Sequence, residues 1–152
     1  MSVLVVGTVA FDSIEAPAGS VERILGGSAS YFALGASYFA AVRMVGVIGE
    51  DFPQDHLDLF TQRGIDIAGI EREQGDTFHC RGRYHEEINQ RDTIELHLNV
   101  LAGFKPKLPE SYRDAEYVFL GNIDPVVQME VVEQIRHMKL LVCDTMDYWI
   151  RE

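Results

Sequence analysis

The sequence has little positive charge, few cysteines and no long apolar run. Only 13 lysines and arginines stand against 24 aspartates and glutamates in 152 residues, which gives a net charge of −11 at pH 7. Because nucleic acids and anionic membrane surfaces would repel such a chain, neither is expected as a partner. No apolar run approaches membrane-spanning length, and no basic leader precedes Val3. We therefore expect a cytoplasmic protein.

Metal-binding and nucleotide-binding patterns are also missing. Cys80 and Cys143 lack metal-type spacing and lie in apolar surroundings, which favours two buried free thiols in a reducing compartment. A disulfide is the open alternative. The five histidines form no ligand grouping, so no metal site is expected in the chain. Neither the dinucleotide fingerprint G-x-G-x-x-G nor the phosphate loop G-x-x-x-x-G-K-[ST] occurs.

Short apolar runs alternate with helical patterns along the chain. The runs predict buried strands at 3–6, 42–48, 117–120 and 139–143. This order predicts an α/β domain over residues 1–152, with a mainly parallel sheet flanked by helices. No crossover helix follows the last strand, which leaves three explanations: a fragment, a partner that covers the sheet edge, or a short natural domain.

Three helices are expected between these strands. The first opens at Gly26-Gly27, with Ser28 or Ser30 as its cap and an inward stripe of Phe32, Ala36 and Phe39. The second has Asp51 as its N-cap and ends at Gly64. The third begins at Asp124-Pro125, an N-cap followed by a proline in the first turn.

Residues 77–84 and 93–100 have a different rhythm. Apolar and polar side chains alternate there with a period of two, which is typical of strands covered on one face. We expect an antiparallel pair, inserted into the α/β domain at about 77–101.

The glycine pair Gly26-Gly27 has two interpretations. It permits either a tight turn with close packing or the approach of an oxygen-rich ligand to unpaired N–H groups at a helix start. Polar residues also follow the predicted strands, among them Asp12 and Asn122. Since ligands of parallel α/β sheets bind at the carboxyl ends of the strands, these groups could accept hydrogen bonds from a sugar or a ribose.

Four segments together resemble the N-terminal half of the ribokinase-like carbohydrate kinases, the PfkB family. They are VVGTVAFD at 5–12, GGSAS at 26–30, VGVIGEDF at 45–52 and DTMDYWI at 144–150. The resemblance implies ATP-dependent phosphorylation of a hydroxymethyl group on a sugar or nucleoside, with Mg²⁺ as the metal. The alternating pair would be the lid over the substrate and the contact of a homodimer.

The resemblance also implies site residues. Of the residues that we expect to bind substrate, the resemblance supplies Asp12, Gly26 and Gly27, and their position in the chain adds Ser28 and Asn122; the lid could contribute Arg81, Arg83 or His97.

The chain departs from the family pattern in two places. Ser28 and Tyr31 stand where many relatives have lysine and asparagine, and the Gly-Ala-Gly-Asp segment with the catalytic aspartate is missing. We therefore assign no catalytic residue to this chain. Two other functions remain open: a non-catalytic ligand-binding or dimerising module, and a Rossmann-type cofactor domain, which the missing fingerprint disfavours.

Overall fold

The computed structural model describes residues 2–151 and contains two sheets. A five-stranded parallel sheet has the order β5-β4-β1-β8-β9, and a four-stranded sheet has the order β3-β2-β6-β7. The strands are β1 (Ser2–Val6), β2 (Ala10–Ala16), β3 (Gly19–Gly26), β4 (Ala41–Ile48), β5 (Asp66–Arg72), β6 (His79–Tyr84), β7 (Arg91–His97), β8 (Tyr117–Leu120) and β9 (Leu140–Cys143). The helices are α1 (Ser28–Ala36), α2 (Gln54–Gln62), α3 (Pro125–Glu133) and α4 (Asp147–Arg151), and two short 3₁₀ turns follow β7.

The parallel sheet is covered on both faces, as the apolar runs predict. In the central strand β1, Leu4 and Val6 pack into the core on the side of α3, whereas Val5 packs against α1 and α2. All three side chains are fully buried. Strand β1 pairs with β4 on one side and with β8 on the other, both in parallel. The predicted α/β class is confirmed.

The second sheet is larger than the sequence pattern indicates. Strands β6 and β7 form the expected antiparallel pair. However, residues 10–26 are not a loop: β2 and β3 form an antiparallel hairpin, and β2 runs parallel to β6. The insertion at 77–101 therefore supplies only half of this sheet. Because most of β3 is exposed, it lacks the apolar alternation by which a strand is recognised.

The expected aromatic stripe of α1 is wrong. Helix α1 ends at Ala36, so Phe39 lies beyond it and is 87% exposed. Phe32 is also exposed on its outer side, although its ring stacks on Phe119 at 3.7 Å. Ala29 and Ala33 are buried in its place, because close packing of α1 on β1 and β4 leaves room only for small side chains.

Two predicted helix termini are confirmed and one is not. Gly64 ends α2 with a φ of 72°, and Asp124 caps α3 by accepting a hydrogen bond from the Val126 amide. In contrast, Asp51 caps nothing. Its carboxylate accepts hydrogen bonds from the Thr77 amide and hydroxyl and pairs with Arg23, so it joins the two sheets.

Strand β9 forms an edge of the parallel sheet. Leu140 and Val142 are about half exposed there. Cys143, expected to be buried, is exposed as well, while Cys80 is partly buried and both thiols are free. None of the helices in residues 2–151 has the length and apolar character needed to cross a bilayer.

Glycines permit three chain segments to meet where β1, α1 and β8 come together. A Cβ atom at Gly7 would lie 2.9 Å from the Cα of Gly121. Gly27, the N-cap residue of α1, has a φ of 95°, and a Cβ atom there would overlap the Thr8 carbonyl. The start of α1 therefore depends on the missing side chain of Gly27.

We expect Gly27→Ala to destabilise the fold by more than about 1 kcal/mol, since alanine is strained at this φ and also collides with Thr8. Urea unfolding measures the effect. Gly35→Ala is the matched control in the same helix, because a Cβ atom there meets open space and should be neutral or mildly stabilising. Equal midpoints for the two variants would contradict this explanation.

Candidate functional site

A cleft of about 300 Å³ lies between the carboxyl ends of the parallel strands and the second sheet. Its floor comes from the loops after β1 and β8 and from the start of α1, and its wall comes from the second sheet. The lining residues are Thr8, Asp12, Ser13, Ile14, Gly27, Ser28, Tyr31, Phe78, Cys80, Gly82, Tyr84, Arg91, Asn122 and Met146. The structure thus brings four of the five predicted binding residues together, and the fifth, Gly26, adjoins Asp12.

The hydroxyl group of Ser28 holds the floor of the cleft together. Its Oγ accepts a hydrogen bond from the Asn122 amide at 2.8 Å and lies 3.1 Å from Thr8 Oγ1. Thr8 Oγ1 in turn accepts from the Ser28 amide at 2.9 Å. These bonds fix the ends of β1 and β8 to the first turn of α1, which makes the floor a rigid unit.

The first N–H groups of α1 are not free for a ligand. The Ser28 amide donates to Thr8 Oγ1, and the Ala29 amide donates to the Thr8 carbonyl. No side chain of α1 itself caps the helix, so the predicted caps Ser28 and Ser30 are wrong; Thr8, in the loop after β1, accepts these hydrogen bonds instead. The glycine at 27 serves close packing, which was one of its two interpretations.

Asp12 lies within β2 and presents its carboxylate to the cleft. A Cβ atom at Gly26 on the neighbouring strand would overlap this carboxylate, so the glycine makes room for it. Burial raises the pKa of Asp12 above the ordinary aspartate value, against the opposing pull of Arg91 and His79. The carboxylate of Asp12 accepts no hydrogen bond from any of residues 2–151, so its two oxygens are available to a ligand.

Asn122 offers a second free acceptor. Its amide N–H is bonded to Ser28, but its side-chain oxygen Oδ1 is buried and has no partner among residues 2–151. Buried polar atoms without a partner are rare because each lost hydrogen bond costs about 1–3 kcal/mol. Asp12 and Asn122 therefore form a pair of acceptors that hydroxyl groups could satisfy.

The wall of the cleft is mostly apolar and aromatic, with one cation. Phe78, Cys80 and Tyr84 line it from β6 and the residue before it, and Met146 closes one side after β9. Arg91, the first residue of β7, brings a guanidinium group to the same cleft. The site thus combines acceptors on its floor with a flat apolar wall and a donor.

The structure does not bring the three lid candidates to the cleft. Arg81 lies on the opposite face of the second sheet and pairs with three carboxylates, those of Glu15, Glu22 and Glu95. Arg83 also pairs with Glu15. His97 faces the same side, next to the ring of His79, with centroids 6.2 Å apart. Successive residues of a strand point to opposite faces, so the even-numbered neighbours in β6 line the cleft.

Thr8, Tyr84, Arg91 and Met146 also line the cleft, and none of them was predicted from the sequence. Tyr84 and Arg91 pair directly in the β6/β7 hairpin, so knowledge of the hairpin register would have placed both on the same face. That register depends on a bulge between Arg81 and Gly82, and alternation alone does not reveal it. No group of three or more potential metal ligands occurs within the described range 2–151.

Comparisons with known proteins agree with this architecture. No protein-family model matches the chain. A cytidine kinase from Thermococcus kodakarensis is 29% identical over 143 residues, which are 93% of this chain and 51% of that protein. The crystal structure of the Methanocaldococcus jannaschii nucleoside kinase, described as an archaeal member of the ribokinase family, has a TM-score of 0.72. It is 16% identical, and the match covers 94% of this chain and 52% of that one.

A third relative has bound ligands. The Arabidopsis thaliana ribokinase, solved with ribose and ATP, has a TM-score of 0.64 at 17% identity, over 88% of this chain and 49% of that one. The chain spans about half the length of the relatives it matches. The chain therefore has the ribokinase fold over about half of that fold, and it is similar in sequence to a cytidine kinase, which agrees with the resemblance drawn from its motifs.

Proposed function

We propose that this chain forms the substrate-binding half and the lid of a kinase that transfers a phosphoryl group from ATP to a hydroxymethyl group of a nucleoside or sugar. The observation that carries the proposal is the pair of unpartnered acceptors, Asp12 and Asn122, in a cleft at the ends of parallel strands. The cytidine kinase and the ribose-bound ribokinase support the same substrate class.

Asp12 and Asn122 would orient the acceptor molecule. Hydroxyl groups of a ribose or a related sugar donate hydrogen bonds to the Asp12 carboxylate and to Asn122 Oδ1. The rigid floor around Ser28 keeps the two acceptors in a fixed relation, so the reacting hydroxyl is held in one orientation. In this proposal Ser28 positions the site through its bonds to Thr8 and Asn122, and Gly26 and Gly27 provide space.

The second sheet would act as the lid. Phe78 and Tyr84 on this side, together with Met146 after β9, would exclude water from the acceptor, which matters because water competes with an alcohol for the phosphoryl group. A homodimer through the lid is part of the same proposal. Val21 and Ile24 on the edge strand β3 are exposed apolar residues that a second copy could cover, and sedimentation would detect the dimer.

ATP and Mg²⁺ belong to the proposal through the relatives, one of which was solved with ATP. Within the described residues 2–151 we identify no side-chain grouping that would hold either one. Residues 2–151 contain no cluster of potential metal ligands, and the first N–H groups of α1, which could bind a phosphate, already donate to Thr8. We therefore assign no residue of the chain to the nucleotide or to the metal.

The activity is tested with the full-length product of the gene, incubated with ATP and a panel of pentoses, hexoses and nucleosides. We expect phosphorylation of at least one of them, detected as ADP release and as an 80 Da mass increase of the acceptor, about the mass that one phosphoryl group adds. Ligand binding without turnover would favour the non-catalytic module. The proposal would be refuted if no compound of the panel were bound and none were phosphorylated.

Asp12→Asn should weaken ligand binding without destabilising the fold at neutral pH. The substitution removes a charge-assisted hydrogen bond worth about 1.5–3 kcal/mol, so ribose or nucleoside affinity should fall about 10- to 100-fold in calorimetry. Burial raises the pKa of Asp12, so the folded state favours the protonated form. That contribution to stability is present at low pH and is lost as the pH rises through the folded-state pKa. At neutral pH the variant should therefore be at least as stable as the wild type.

Asp76→Asn is the matched control. Asp76 is exposed and lies outside the cleft, so its replacement should change neither ligand affinity nor the pH dependence of binding. In the wild type, affinity should decline on acidification at a pH above the ordinary aspartate range. A variant Asp12→Asn that binds normally, or that unfolds at neutral pH, would contradict the assigned role.

A further inference from the structure

Arg91 is a basic side chain in the cleft for which the proposed phosphoryl transfer has no use. We propose that it determines substrate specificity by recognising a nucleobase edge with two adjacent hydrogen-bond acceptors. The inference rests on the proposed function, because it concerns the base of a nucleoside whose ribose is bound by Asp12.

The fold directs Arg91 to the cleft. It pairs with Tyr84 across the β6/β7 hairpin, and a Cβ atom at Gly82 would lie 3.0 Å from Arg91 Nε. The guanidinium stem thus packs over the space left by this glycine. Asp12 pairs with Cys80 in the adjacent strand, so Asp12, Cys80 and Arg91 share one face of the sheet.

The donors of Arg91 are largely unused. Its Nη2 atom lies 3.6 Å from Cys80 Sγ and 3.3 Å from Thr93 Oγ1, and both of these partners are neutral and weak. Among residues 2–151 it makes no ion pair, although acids outnumber bases in the chain. Arg81 on the opposite face pairs with three carboxylates, so a nearby acid is available to arginines that do not face the cleft.

The polar side chains of the cleft are of two kinds. Asp12 and Asn122 accept, which suits the hydroxyl groups of a ribose, whereas Arg91 donates, which suits the acceptors of a base. A guanidinium is a planar fork, and it binds best to two acceptors side by side. Cytosine offers O2 and N3, and guanine offers O6 and N7. On uracil and adenine an N–H group faces one of the two guanidinium donors, so the guanidinium cannot form both hydrogen bonds.

The test measures binding of cytidine, guanosine, uridine, adenosine and ribose to the complete chain by calorimetry. We expect cytidine and guanosine to bind at least about tenfold more tightly than uridine and adenosine. Arg91→Met should lower the affinity for cytidine to that for uridine, and it should leave the affinity for ribose unchanged. Arg91→Lys keeps the charge without the fork, so it should restore little of the discrimination.

Two further variants guard against misfolding and non-specific charge effects. Gly82→Ala retains Arg91 but displaces it, and it should weaken the discrimination as well. Arg83→Met removes an arginine from the opposite face of the same strand pair and should preserve the discrimination.

Three outcomes would overturn the inference. One is equal affinity for all four nucleosides in the wild type. Another is a parallel loss for every ligand, ribose included, in Arg91→Met. The third is tighter binding of ribose 5-phosphate than of ribose, with the same preference in Arg91→Lys. That result would mean that Arg91 attracts an anion by its charge alone. In each case the proposed kinase function would still hold if ribose binding depended on Asp12. Failure of the specificity inference can therefore be distinguished from failure of the proposed function.

Discussion

The hydroxyl group of Ser28 is the constraint on which the site depends. It joins the ends of two parallel strands to the start of α1 by bonds to Thr8 and to the Asn122 amide. These bonds use the polar groups that a helix start normally leaves open. As a result, the floor of the cleft is rigid, and the polar atoms that remain free there are side-chain acceptors. Two N–H groups at this helix start, which a phosphate could otherwise approach, already donate to Thr8.

Electrostatics divide the second sheet into two faces with separate roles. The outer face neutralises its charges internally, because Arg81 and Arg83 pair with carboxylates of β2, β3 and β7. On the inner face Arg91 lies close enough to lower the pKa of Asp12, although neither residue forms an ion pair among residues 2–151. Desolvation of the half-buried Asp12 carboxylate is unfavourable in an empty cleft, whereas the guanidinium of Arg91 is exposed to solvent.

The sequence predicts the parallel layer well because physical periodicity marks it. Val5 and its neighbours are buried on both faces, and Gly64 and Asp124 end or begin helices by backbone geometry alone. Strand β3 escaped prediction because it is an exposed edge. Arg91 escaped because a bulge in the hairpin decides which arginines face the cleft, and a bulge has no signature in the alternation. Asp12 was predicted as a binding residue, although no strand was predicted around it.

The central claim is that the half-buried carboxylate of Asp12 accepts hydrogen bonds from the hydroxyl groups of a ligand. The most direct measurement is the pKa of its carboxyl group by carbon-detected NMR, in the free chain and with saturating ribose. The account predicts a value above the ordinary aspartate range in the free chain, because burial raises it, and a clear decrease with ribose, because donated hydrogen bonds stabilise the charged form. An ordinary pKa in the free chain, or one that ribose leaves unchanged, would contradict the account.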